Sequence, residues 1–167
     1  MRENPDFQVA GPCEHRAMRK WLVRGAIALG ALFVVAQAVP YGHDHTNPPV
    51  TQEIRWDSQR TRELAMGACG DCHSNLTDWR FYSKIAPASW LIAADVDGGR
   101  EALNFSEWDR PQGEPDEIVE AIREGSMPPL QYKPLHSAAR LSSAERDELV
   151  RGLERTLAHD PPVGGGD

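Results

Sequence analysis

Residues 69–73 read Cys-Gly-Asp-Cys-His. Two thiols three residues apart fall on one turn of helix, with an imidazole directly after the second. That spacing reaches the two vinyl groups on one edge of a haem and sets the imidazole under the iron as proximal ligand. A chain built around one flat macrocycle has few options. It needs short helices, a dry wall and a loop that returns to the far face of the ring. The rival readings lack their own requirements. A structural zinc site wants four Cys or His ligands, and no second Cys-x-x-Cys follows. A thioredoxin-type dithiol wants a β-α-β setting, and nothing here alternates convincingly with period two. One motif implies one haem c, bound covalently through Cys69 and Cys72 and ligated by His73.

The sixth iron position is expected on a loop before the last helix. Met127, in Gly125-Ser126-Met127-Pro128-Pro129, lies between the Cys-x-x-Cys-His motif and the final helix, and the prolines after it stiffen the loop that aims its thioether. Met66 is too near Cys69 to reach the opposite face, so Met127 is the candidate ligand. His136 is the reserve ligand, although a solvated or propionate-bonded role suits it better. Cys13 precedes the apolar segment 21–39, on its expected cytoplasmic side, so it cannot join the site and reads as a free thiol in a reducing compartment.

Helical periodicity marks four segments in the region after the motif and just before it. They lie near 57–67 with Leu64 and Ala65 inward, near 88–96 after Pro87, near 115–124 with Ile118, Val119 and Ile122 inward, and after Ser142. The last is the clearest, because Ser142 with Glu145 forms a capping box and Leu149, Leu153 and Leu157 recur every four residues. Fourteen glycines and thirteen prolines mark long loops, notably 97–114 and 125–141. The expected fold is all-α, a cytochrome c-like helical domain with long loops around one haem, over 57–159. Trp79, Phe81, Tyr82, Trp90, Phe105 and Trp108 are candidates for its apolar wall, and Arg100 for a propionate partner.

Ahead of that domain, residues 21–39 read WLVRGAIALGALFVVAQAV, a length that approaches the hydrocarbon core of a bilayer. With Arg16, Arg19 and Lys20 before it, the expectation is a single N-terminal transmembrane helix. Residues 1–20 are then cytoplasmic and the haem domain lies on the outer side of the cell membrane. Ala36-Gln37-Ala38 also fits a signal-peptidase site, in which case the segment is cleaved after Ala38. Residues 40–56, with Pro48-Pro49 and no apolar period, read as a linker. The His43-x-His45 pair within them reads as solvated rather than metal-binding. Residues 160–167 read as a disordered tail.

The run ACGDCHSNLTDWRFYSKIAPASWLIAADVDGGREALNFSEWDR, with NPPV ahead of it, resembles the bacterial haem-binding domain family of membrane-anchored mono-haem c-type cytochromes. The stretch MPPLQYKPLHSAARLSSAE resembles that family's distal loop and final helix. The resemblance covers about 46–157. It implies haem attachment and ligation by Cys69, Cys72 and His73, with Met127 as distal ligand. Arg80 departs from the family's pattern, where Trp-Pro is frequent, and a local change in the haem-edge loop is expected there.

The formal net charge is −7, made of about +2 over residues 1–40 and −9 over the rest. That balance disfavours nucleic acid as a partner. An iron with both axial positions filled cycles one electron with little rearrangement. The expected function is therefore a one-electron carrier in an extracytoplasmic chain, not an enzyme, meeting redox proteins with a basic docking face. The alternatives are an accessory haem subunit of a respiratory complex, or an open-site haem enzyme or gas sensor.

Overall fold

The structure, a computed structural model, describes residues 12–164, and side chains throughout that range except those of 12–15 and 115. The chain divides into two units, one ending at Pro40 and one beginning at Tyr41. Among its described residues the first holds one helix, α1 (Pro12–Ala36). The expected cytoplasmic tail up to residue 11, the side chain of Cys13 and the tail residues 165–167 lie outside what is described.

The expected transmembrane helix is corrected. Among the described residues no helix is long and apolar enough to cross a membrane. The cause lies in α1 itself. Arg16, Arg19, Lys20 and Arg24 occupy its first half, and the charge-free stretch 25–36 has only 12 residues. At 1.5 Å per residue that is about 18 Å, against a hydrocarbon core of about 30 Å. The helix ends at Ala36, and residues 37–39 follow it as a tight turn in which the Ala38 N–H donates to the Val35 carbonyl and the Val39 N–H to the Ala36 carbonyl.

The second unit is helical: α2 (Gln59–His73), α3 (Ala88–Ala102), α4 (Pro115–Arg123) and α5 (Ser143–His159), with single 3₁₀ turns at Phe81–Lys84 and Ser137–Ala139. Only two isolated β-bridges occur among the described residues, Gln52 with Glu107 and Pro111 with Val163. Helix α5 starts as its sequence dictates. The Ser142 hydroxyl accepts from the Glu145 N–H at 3.2 Å, while the Glu145 carboxylate takes the Ser142 N–H at 3.0 Å. Leu149, Leu153 and Leu157 are all buried. They meet Leu64 and Ala65 of α2, Val119 and Ile122 of α4, and the loop residues Leu103, Phe105 and Trp108 in one core.

Helices α2 and α3 run six residues past their expected ends, to His73 and Ala102. Both helices continue through glycines, Gly70 in α2 and Gly98-Gly99 in α3. A Cβ on Gly99 would come within 2.6 Å of the Cys72 carbonyl oxygen, so α3 crosses α2 there at a distance only glycine allows.

Residues 41–56, within the linker expected at 40–56, are part of the second unit. Ile54 is buried, and its N–H donates to the Phe105 carbonyl at 3.0 Å. The Gln52 carbonyl accepts from the Trp108 N–H at 2.8 Å, and the Pro49 carbonyl from Asn75 Nδ2 at 2.9 Å. The C-terminal stretch is likewise fastened as far as it is described. Asp160 is buried, and Arg55 donates to it from both backbone and side chain.

Candidate functional site

Cys69, Cys72 and His73 occupy the last turn of α2. Both cysteines are free thiols and partly buried. Burial pushes each up to about 12, helped at Cys72 by the neighbouring negative charge of Asp95. They are therefore neutral thiols at neutral pH, unlike the acidic thiolates of redox dithiols. That counts against the thioredoxin-type reading on chemistry rather than on fold.

His73 is fixed from behind. Its Nδ1 lies 3.1 Å from the Leu103 carbonyl oxygen, which can only accept, so Nδ1 carries the proton and Nε2 keeps its lone pair. Burial pulls the imidazole below its usual range, although the carbonyls of Leu103 and Gly99 pull the other way. A neutral imidazole with a defined tautomer is what an iron ligand requires.

Two cavities meet at these residues. The larger, about 330 Å³, is lined by Cys69, Cys72 and His73 from α2, by α3, and by Met127, Pro128 and Tyr132 from the loop after α4. The smaller, about 180 Å³, is walled by Leu103, Phe105, Ile118, Ile122 and Leu153. Cys69, His73, Ala102 and Met127 line both. All four residues, Cys69, Cys72, His73 and Met127, thus line the larger cavity.

The turn that delivers Met127 is set by Gly125, whose φ of 77° ends α4 in the left-handed region open to glycine. The Ser126 hydroxyl and the Met127 N–H then both donate to the Ala121 carbonyl, at 2.9 and 3.0 Å. The donor set fits a haem. Two thiols share one wall, an oriented imidazole follows them, a thioether enters from a separate loop, and the rest of the lining is mainly small or apolar.

Other expectations fare differently. His136 lines neither cavity. Its Nδ1 donates to the Tyr132 carbonyl at 2.9 Å, and its Nε2 accepts from the Tyr82 hydroxyl at 3.0 Å, so both ring nitrogens are occupied. Arg100 is also committed elsewhere, donating to Ser74 O, Thr77 Oγ1 and Asn47 Oδ1. Of the six aromatic residues proposed for the wall, Phe105 lines the space; Trp108 is core, with its indole N–H donating to Asp160 O at 3.1 Å. His45 bonds the Ser83 carbonyl at 3.0 Å and packs on Trp79. Among the described residues no three His, Cys, Asp or Glu side chains are grouped to hold a metal ion.

Tyr132, Asp95 and the Gly98-Gly99 pair line the larger cavity and were not singled out by the sequence reading. The one available signal was Tyr132, an aromatic residue five positions after Met127 on the same proline-stiffened loop. The comparisons agree with the geometry: residues 31–155 match the haem-binding domain family. No curated protein and no solved structure matches the chain.

Proposed function

Because the chain belongs to the haem-binding domain family and haem is its cofactor, we propose that it is a mono-haem c-type cytochrome acting as a one-electron carrier. The observation that carries this reading is the convergence of Cys69, Cys72, His73 and Met127 on one space. Haem, when bound, supplies a one-electron iron couple.

Each residue then has a separate task. Cys69 and Cys72 would each hold the haem through one thioether bond, so that the group could not leave. His73 presents Nε2, held by the Leu103 carbonyl behind it. Met127 supplies a neutral, soft sulfur, which favours the ferrous state and raises the potential. Phe105, Ile118, Ile122 and Leu153 exclude water and so limit reorganisation when charge changes. With His73 and Met127 both holding the haem, no open position would remain for a substrate. Electron transfer is therefore favoured over catalysis.

Covalent haem attachment takes place outside the cytoplasm, which makes the haem domain extracytoplasmic in this reading. Arg16, Arg19 and Lys20 precede a 12-residue charge-free apolar stretch at 25–36, and Ala36-Gln37-Ala38 closes it. That order and length suit an export signal. N-terminal sequencing of the secreted product tests this, with Val39 expected as the first residue and an intact N-terminus contradicting it. The acidic second unit would steer toward redox proteins with a basic docking face.

The test of the axial assignment is an absorption spectrum of the purified protein, oxidised and reduced, with and without carbon monoxide. The expected oxidised spectrum is low-spin with a weak far-red sulfur-to-iron band, and the reduced protein stays closed to carbon monoxide. Met127→Ala abolishes the band, shifts the ferric protein toward high spin and admits carbon monoxide. A wild type that lacks the band and binds carbon monoxide readily contradicts the carrier reading.

A further inference from the structure

We propose that Tyr132 and His136 position the Met127 loop for the iron by tying it to Asp71, the residue between the two cysteines. The proposal rests on the reading of Met127 as sixth ligand. The loop from Gly125 to His136 contains no helix, so its course depends on what holds its two ends. The near end is held by α4, through the two bonds to the Ala121 carbonyl.

The far end is held by α2. The Tyr132 hydroxyl donates to Asp71 Oδ2 at 2.5 Å, while Asp71 Oδ1 accepts from the Asp78 N–H at 3.0 Å. The carboxylate is thus held on both oxygens and cannot swing away from the tyrosine. His136 braces the same ring from its open side. It stacks on Tyr132 with centroids 3.5 Å apart and planes 11° from parallel. Its Nδ1 donates to the Tyr132 carbonyl, and Tyr82 donates to its Nε2. The imidazole is 10% exposed and the Asp71 side chain 22%, so these bonds are largely shielded from competing water.

The consequence is geometric. Asp71 shares a helical turn with Cys69 and Cys72, so the loop carrying Met127 is referenced to the attachment helix itself. Tyr132 also lines the larger cavity, which places the tether at the wall of the space Met127 must enter. Burial, then the bond to Asp71, push the Tyr132 phenol above its usual range, so it remains a donor at any physiological pH. The role of His136 in this arrangement is to position the loop; it does not ligate the iron.

The test compares four forms of the haem-loaded protein: wild type, Met127→Ala, Tyr132→Phe and Tyr82→Phe. Three quantities are read on each: the far-red band, the affinity of the ferric protein for imidazole, and the far-UV circular dichroism. Tyr132→Phe is expected to keep its helix content and its haem, weaken the band, and bind imidazole about tenfold more tightly. That factor corresponds to ~1.4 kcal/mol, the size of one charge-assisted hydrogen bond. Tyr82→Phe, one step farther out, is expected to tighten imidazole binding about threefold, and it decides the matter if Tyr132→Phe does not fold. A band retained in Met127→Ala removes Met127 from the iron, and this proposal falls with that reading. Loss of the band in Met127→Ala, with both tyrosine variants matching wild type, overturns the positioning role alone.

Discussion

Asp160 joins the two ends of the second unit. Burial pushes its carboxyl up, but hydrogen bonds from the Arg55 side chain and backbone outweigh that and hold it below the ordinary 3.8. A carboxyl with a lowered folded-state pKa contributes stability above its unfolded value and loses it as pH falls through the folded one. Acid unfolding of the wild type should therefore draw on this pair below about pH 3.8. Asp160→Asn should lower stability by about 1–2 kcal/mol at neutral pH, and this deficit should shrink in acid. Urea titrations at neutral pH and in acid check both. An equal deficit at the two pH values would refute the ionic account. Residues of this kind explain what sequence reading finds and misses at this scale. Cys69, Cys72 and His73 lie within five residues of one another, so their grouping is legible from the sequence alone. Asp160 and Arg55 are 105 residues apart, and Tyr132 and Asp71 are 61 apart. No local pattern announces such pairs.

Helices α2 and α5 illustrate the same division for whole elements. The start of α5 was legible because a capping box is a local reciprocal exchange and its leucines repeat with the helical period. The closeness of its approach to α2 was not. A Cβ on Gly152 would collide with the Thr61 side chain, so the two helices pack at a separation that only glycine allows. Gly152→Ala should destabilise by about 1–3 kcal/mol, as overpacking does. A lower urea midpoint with unchanged slope would show it, and an unchanged midpoint would mean the helices separate at no cost. The segment 41–56 escaped the sequence reading for a related reason. Its backbone is held by hydrogen bonds with the backbone of 105–108 and from the Asn75 side-chain amide, and bonds to the backbone leave no apolar period to read. The sequence reading ended α2 and α3 six residues early, and the extension of α3 holds Gly99, whose missing Cβ lets the two helices cross.

On the scale of the whole molecule, composition was informative about charge and misleading about α1. Hydropathy over 21–39 suggested a span, yet four cations in the first half of the helix leave too short an apolar stretch for one. The charge imbalance bears on encounter. A chain of formal charge −7, with the excess in the haem unit, should exchange electrons with a small cationic oxidant at a rate that falls as salt rises. With an anionic oxidant the salt dependence should reverse, and stopped-flow mixing at two ionic strengths distinguishes the cases. Equal salt dependence for both reagents would show that net charge does not govern approach to the haem. The central claim, a haem bonded to Cys69 and Cys72, is tested most directly by intact mass after denaturation and acid-acetone extraction. The wild type should retain the mass of one haem. The Cys69→Ser, Cys72→Ser double variant should retain none, with its haem recovered in the solvent. A wild type that releases its haem, or a double variant that keeps it, would contradict the account.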